Sequence, residues 1–105
     1  MRRVKAPEHL SEATQRWWRS VYKEYELQPH HIKLLTLAAE ALDRAEEARL
    51  ALQEQGVTFL DRFGQPKASP MVAIERDSRI AFARLLRELA LDVQAPESRP
   101  RTITR

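Results

Sequence analysis

The chain of 105 residues contains no cysteine, only two glycines and no long apolar run. Without thiols it can form neither a disulfide framework nor a thiolate metal site. The absence of cysteine also fits a reducing compartment. A membrane-spanning helix needs about 20 consecutive apolar residues, so we expect no association with a membrane. The basic start of the chain also lacks the apolar stretch of a secretory signal. Scarce glycine and 31% charged residues favour one small helical domain over a sheet-rich fold.

Basic residues are concentrated at the two ends of the chain. The net charge is +3, yet residues 6–98 hold twelve bases against fifteen acids. The six remaining bases belong to the terminal segments and are Arg2, Arg3, Lys5, Arg99, Arg101 and Arg105. Basic arms of this kind contact polyanions through phosphate groups. They are equally consistent with solvated tails that only aid solubility.

The order of polar and apolar segments predicts three regions. Residues 1–9 lack periodicity and are expected to form a basic N-terminal arm. Residues 92–105, with two prolines and three arginines, are expected to form a disordered basic C-terminal tail. Between them, residues 10–91 are expected to form a helical oligomerisation domain. The expected fold class is therefore mainly α, with three helices and a small β-hairpin between the second and the third.

Capping signals predict the ends of the first two helices. Ser11 is a typical N-cap for a helix that runs to about Tyr25. Pro29 suits the first position of a second helix, which ends at Gln55 because Gly56 favours a C-terminal cap. At a rise of ~1.5 Å per residue the second helix is ~40 Å long. It must therefore extend beyond a single small core or be covered by another chain.

The segment after Gly56 predicts a β-hairpin over about residues 57–68, with Gly64 in the turn. An isolated hairpin is marginal in water, so we expect it to pack on the helices or to pair with a neighbouring chain. Ser69 and Pro70 supply the N-cap and first residue of a third helix, which runs to about Leu91. The charged residues of this helix are mixed in sign, as on a solvated or intersubunit face.

The apolar surface of the helices exceeds the needs of one small core. Two apolar stripes follow the second helix, and the first helix is aromatic over a wide arc. Of the adjacent tryptophans, Trp17 is predicted to be the core member and Trp18 to face another helix or subunit. The candidate residues for a self-association interface are Trp18, Tyr22, Leu34, Leu37, Ala41 and Ala48.

The sequence contains no recognisable motif for catalysis or cofactor binding. The two glycines match neither the phosphate-binding loop nor the dinucleotide pattern. The histidines His9, His30 and His31 lack the spacing of a metal site. We therefore expect no catalytic residue, no cofactor and no metal, and a protein that acts by binding. The candidate DNA contacts are basic side chains of the helices and the arms, namely Arg16, Arg19, Lys23, Lys33, Arg2, Arg3, Lys5, Arg99, Arg101 and Arg105.

The order and spacing of several segments resemble the small terminase subunits of tailed bacteriophages, in particular their short helical type. Together the matching segments cover about residues 6–91. They are Ala6–Ser11, Trp17–Arg19, Glu24–Leu27 followed by His30–His31 and Leu34–Leu35, Ala38–Ala45, Gly56, Gly64–Pro70 and Ser78–Leu89.

The resemblance implies a regulatory subunit without catalytic residues. Small terminase subunits assemble into rings and engage double-stranded viral DNA. They deliver this DNA to the large terminase subunit, which carries the ATPase and the nuclease. The resemblance also implies the cytoplasm of an infected bacterium as the location. Since no short motif marks the DNA contacts of the family, no individual binding residue is implied.

Two other functions are compatible with the sequence. A helix-turn-helix repressor would act as a dimer on a palindromic site, although the second helix is long and alanine-rich for a recognition helix. An adaptor that binds only protein would not retain DNA at low salt, even with its basic arms intact. The mass of the assembly and the retention of DNA therefore distinguish the three hypotheses.

Overall fold

The structure, a computed structural model, describes residues 4–89. Along this part of the chain the elements are α1 (Glu12–Glu24), α2 (Pro29–Gln55), β1 (Thr58–Leu60), β2 (Pro66–Ala68) and α3 (Pro70–Leu89). The prediction of a mainly helical fold with a small antiparallel hairpin between the second and third helices is confirmed. The whole predicted C-terminal tail, residues 92–105, and the first three residues lie outside the described residues.

The predicted helix ends are confirmed by their caps. Ser11 is extended, and its hydroxyl accepts a hydrogen bond from the backbone N–H of Thr14 at the start of α1. Pro29 begins α2, and Gly56 ends it at a φ of 87°, a value that a residue with a Cβ rarely adopts. Before α3, the hydroxyl of Ser69 accepts a hydrogen bond from the N–H two residues later. Local signals therefore mark the starts of the three helices and the end of α2.

The helices α2 and α3 form an antiparallel pair. At one end of the pair, Gln55 and Met71 line the same shallow pocket. At the other end, Leu35 and Leu89 belong to the same buried cluster. The shorter helix α1 packs against this second end, so the molecule has a three-helix end and a two-helix end that carries the hairpin.

The core lies at the three-helix end. Its buried cluster comprises Ala6, Leu10, Trp18, Val21, Leu35, Ala39 and Leu89. Trp18 is its largest member and is 1% exposed. The indole N–H of Trp18 donates a hydrogen bond to the hydroxyl of Thr36 over 3.2 Å, so its one polar atom is satisfied inside the protein.

The prediction that Trp17 rather than Trp18 is the core member is therefore wrong, whereas the expectation that Trp18 faces another helix agrees with its hydrogen bond to Thr36 of α2. Trp18 is the core residue, whereas Trp17 is half-buried and packs its ring against Phe82 with the centroids 5.6 Å apart. Adjacent helical residues differ by about 100° in direction. Which of them is buried depends on where the other two helices pass, and this information is not contained in the pattern of α1.

The later part of the predicted N-terminal arm is attached to the helices. Within it, Ala6 is 8% exposed and joins the buried cluster. The His9 ring lies against α2, with Nε2 2.8 Å from a carboxylate oxygen of Glu40. Burial of Ala6 removes apolar surface from water, which favours attachment of this segment over a free extended arm.

The hairpin projects from the two-helix end. Its strands pair in the register Thr58 with Ala68, Phe59 with Lys67 and Leu60 with Pro66. The turn contains Gly64 at a φ of 76°. All six strand residues are exposed, so the expectation that the strands pack on the helices is wrong within the single chain. Pairing with a neighbouring chain stays a prediction.

Candidate nucleic-acid interface

The N-terminal end of α1 is fixed to α2 by the carboxylate of Asp43. One oxygen accepts hydrogen bonds from the hydroxyls of Ser11 and Thr14, over 2.8 Å and 2.7 Å. The other oxygen accepts a hydrogen bond from the backbone N–H of Ser11 over 2.8 Å. Partial burial acts to raise the pKa of Asp43, but the hydrogen bonds from Thr14 and Ser11 lower it below its ordinary value. Asp43 therefore holds α1 in place best as an ionised carboxylate.

Burial of one side of α1 determines which side chains face outward. The buried positions Thr14, Trp18 and Val21 repeat at intervals of four and three residues and turn one face of α1 toward the core. At 100° per residue, the opposite face carries Arg16, Arg19 and Lys23. These three residues, all exposed, are called the basic face of α1.

The basic face of α1 has cations available to a partner. Within residues 4–89, none of its three side chains forms an ion pair with a carboxylate inside 4.0 Å. The one acid at the start of this face is Glu12, in the first turn of α1. At that end of a helix a negative charge interacts favourably with the helix dipole. In contrast, Arg44 and Arg49 on α2 each bind a neighbouring glutamate.

The remaining candidate DNA contacts are dispersed or not described. Lys33 is exposed in the first turns of α2. Lys5 is exposed directly before the buried Ala6, at the three-helix end. The other candidates lie outside the described residues and are Arg2, Arg3, Arg99, Arg101 and Arg105.

The residues predicted to form a subunit interface differ in how far they are buried within the single chain. Trp18 and Ala48 are each 1% exposed within the single chain, so their assignment to a subunit interface is wrong. Leu37 is 50% exposed and available to a partner. The other three are half-buried and are Tyr22, Leu34 and Ala41. Small alanines on α2 allow α3 to approach closely, which explains why Ala48 is covered from inside.

Four exposed apolar residues of the hairpin segment were not among the interface residues named from the sequence, although the hairpin itself was expected to pack or to pair. Val57, Phe59, Leu60 and Phe63 are 57%, 49%, 67% and 74% exposed. We call these four residues the apolar tip. A hydrophobic run at a predicted hairpin was visible in the sequence, but the alternation that distinguishes a buried face from a solvated face was missing.

Among residues 4–89 there is no group of three or more histidine, aspartate or glutamate side chains that could hold a metal ion. No helix in this range is long and apolar enough to cross a membrane. Searches against protein-family models, curated proteins and solved structures find no significant match to the chain.

Proposed function

We propose that the chain is a small terminase subunit of a tailed bacteriophage. In this function it is a non-catalytic component that forms a ring, binds double-stranded viral DNA and delivers it to the large subunit, the ATPase and nuclease, in the host cytoplasm. The observation that carries the proposal is the basic face of α1. Three exposed cations on a helix anchored by Asp43 form a surface suited to the phosphate backbone.

Self-association is supported by apolar side chains that the single chain leaves in water. In addition to the apolar tip, Leu37, Leu50, Val72 and Ile80 are between 37% and 50% exposed. Scattered apolar residues are common on protein surfaces, but the four of the apolar tip lie within residues 57–63, and such a concentration favours an interaction site. Because a two-stranded hairpin is marginal in water, contact with another subunit would stabilise it.

A salt titration of DNA binding tests the proposal. Each phosphate contact contributes about 0.9 to the slope of log K against log salt on duplex DNA. The variant with Arg16→Gln, Arg19→Gln and Lys23→Gln is therefore expected to lose roughly 2.7 from this slope for each subunit engaged. Fluorescence anisotropy with a labelled duplex of about 60 base pairs measures it, and circular dichroism checks the fold.

The matched control removes the same charge from paired arginines. Arg44, Arg49 and Arg76 each contact a carboxylate within the chain, and the triple substitution to glutamine also removes three positive charges. We expect this control to bind DNA with nearly the slope of the unmodified protein. If the slope of log K against log salt falls equally in both variants, net charge governs binding and the basic face of α1 has no special role.

Light scattering after size-exclusion chromatography tests the ring. Across micromolar concentrations we expect one assembly larger than a dimer. A stable dimer with a palindromic footprint would support the helix-turn-helix repressor instead. Failure of the unmodified protein to retain DNA at low salt would support the adaptor that binds only protein.

A further inference from the structure

The outer surface of α3 carries two arginines that the basic face of α1 does not include. Arg84 and Arg87 are both exposed, one helical turn apart. Within residues 4–89, neither lies within 4.0 Å of a carboxylate oxygen. The other arginines of α3 are engaged, since Arg79 contacts Glu75 and Arg76 contacts the next residue.

The local charge of this half of α3 is positive. From residue 80 to residue 89 the chain contains two arginines and one acid, Glu88. The exposed Ile80 lies one turn before Arg84 on the same side of the helix. The mixed charge expected for α3 as a whole therefore separates into a paired first half and a basic second half.

We infer that Arg84 and Arg87 form a second surface for the phosphates of duplex DNA, which we call the α3 arginine pair. This inference rests on the proposed DNA-binding function. Guanidinium groups bind phosphate oxygens in a bidentate manner. Residues three apart on a helix have Cβ atoms about 5–6 Å apart, so the two side chains can reach neighbouring phosphates of one strand.

The geometry places this second surface on another side of the subunit. Phe82 marks the direction of α1, because its ring packs against Trp17. At 100° per residue, Arg84 and Arg87 point about 140–160° away from Phe82. A straight duplex on the basic face of α1 does not reach them in the same subunit. DNA contacts both surfaces when it bends around the subunit or passes between neighbouring subunits.

A comparison of two double variants tests the inference on a duplex of about 60 base pairs. Replacing Arg84→Gln and Arg87→Gln is expected to lower the slope of log K against log salt by roughly 1.8 for each subunit engaged. The control, Arg44→Gln with Arg49→Gln, removes the same charge from arginines already paired with glutamates. We expect the control to leave the slope nearly unchanged. Replacing both arginines of the pair by lysine keeps the charge and should keep most of the slope.

The outcomes separate this inference from the proposed function. If the unmodified protein does not bind DNA, both fail. If the triple variant of the basic face weakens binding while the α3 arginine pair behaves like its control, the second surface is refuted and the proposed function stands. If the α3 variant changes the mass of the assembly by light scattering and leaves the slope intact, these arginines belong to a subunit contact and the inference is overturned.

Discussion

Replacing Asp43 by alanine is the most informative perturbation of the fold. The carboxylate accepts three hydrogen bonds from Ser11 and Thr14, at 2.7–2.8 Å. These bonds connect the start of α1 to the middle of α2, more than 25 residues away along the chain. The Asp43→Ala variant removes both acceptor oxygens and so all three hydrogen bonds at once. It leaves the hydroxyl of Thr14, a residue that is 4% exposed, without this partner.

The expected loss follows from the burial of the three donors. A hydrogen bond to a charged group contributes about 1.5–3 kcal/mol, and a buried hydroxyl left unsatisfied costs about 1–3 kcal/mol. The two donors of Ser11 are exposed and can bond to water, so they contribute little. The hydrogen bond from Thr14 therefore accounts for most of the expected effect. We expect the free energy of unfolding to fall by about 2–3 kcal/mol. For a domain of this size that lowers Tm by roughly 10–20 °C.

Chemical unfolding in urea, followed by circular dichroism, measures this loss. The control is Asp77→Ala on α3, an exposed aspartate that contacts only the adjacent Arg76 among residues 4–89. Surface substitutions of this kind change stability by about 0.5 kcal/mol or less. Equal losses in Asp43→Ala and Asp77→Ala would refute the view that Asp43 anchors α1.

The pH dependence supplies an independent check of the same contact. Because the folded-state pKa of Asp43 lies below its unfolded value, its ionisation stabilises the protein above the unfolded pKa of about 4. This contribution is lost as the pH falls through the lower folded-state pKa. The stability difference between the unmodified protein and the Asp43→Asn variant should therefore be largest near pH 7 and shrink below about pH 4. A difference that is constant from pH 7 to pH 3 would contradict the assigned ionisation.

Three further predictions address the core, the turn and the apolar tip. Trp18→Ala should cost about 3–5 kcal/mol in urea unfolding, and Trp17→Ala clearly less, because only Trp18 is fully buried. Gly64→Ala should cost about 1 kcal/mol in the same assay, since its φ of 76° strains a residue with a Cβ. Replacing Phe63 and Leu60 by serine should reduce the assembled mass in light scattering without unfolding the helices, because both side chains are exposed in the single chain; an unchanged mass would exclude the apolar tip from self-association.

The sequence predicted the elements of the fold because their boundaries depend on local chemistry. Ser11, Pro29 and Gly56 act within one helical turn of their own positions, through a side-chain cap, a fixed φ and a permitted positive φ. Ser69 and Gly64 determine the start of α3 and the turn of the hairpin in the same way.

Contacts between distant elements could not be predicted in this way. The carboxylate of Asp43 meets Thr14 only because α1 packs against the first half of α2, and nothing in the spacing of either helix specifies this pairing. The burial of Trp18 rather than Trp17 depends on the same packing. The exposed faces were more predictable, because Arg16, Arg19 and Lys23 follow a helical period that is independent of the partner. The α3 arginine pair could be recognised only after the pairing of the other arginines was known.

The surface features of the two ends suggest how assembly and DNA binding would be combined. The basic face of α1 lies at the three-helix end, and the apolar tip lies at the other end of the α2–α3 pair. Contact through the apolar tip would therefore leave the basic face free, and several copies would present several basic faces to one duplex. Weak contacts by each subunit then become strong together. Salt affects the two interactions differently. It weakens contacts with phosphates by screening their charge, and it does not weaken the burial of apolar surface. A ring of these subunits should therefore release DNA at high salt while it stays assembled.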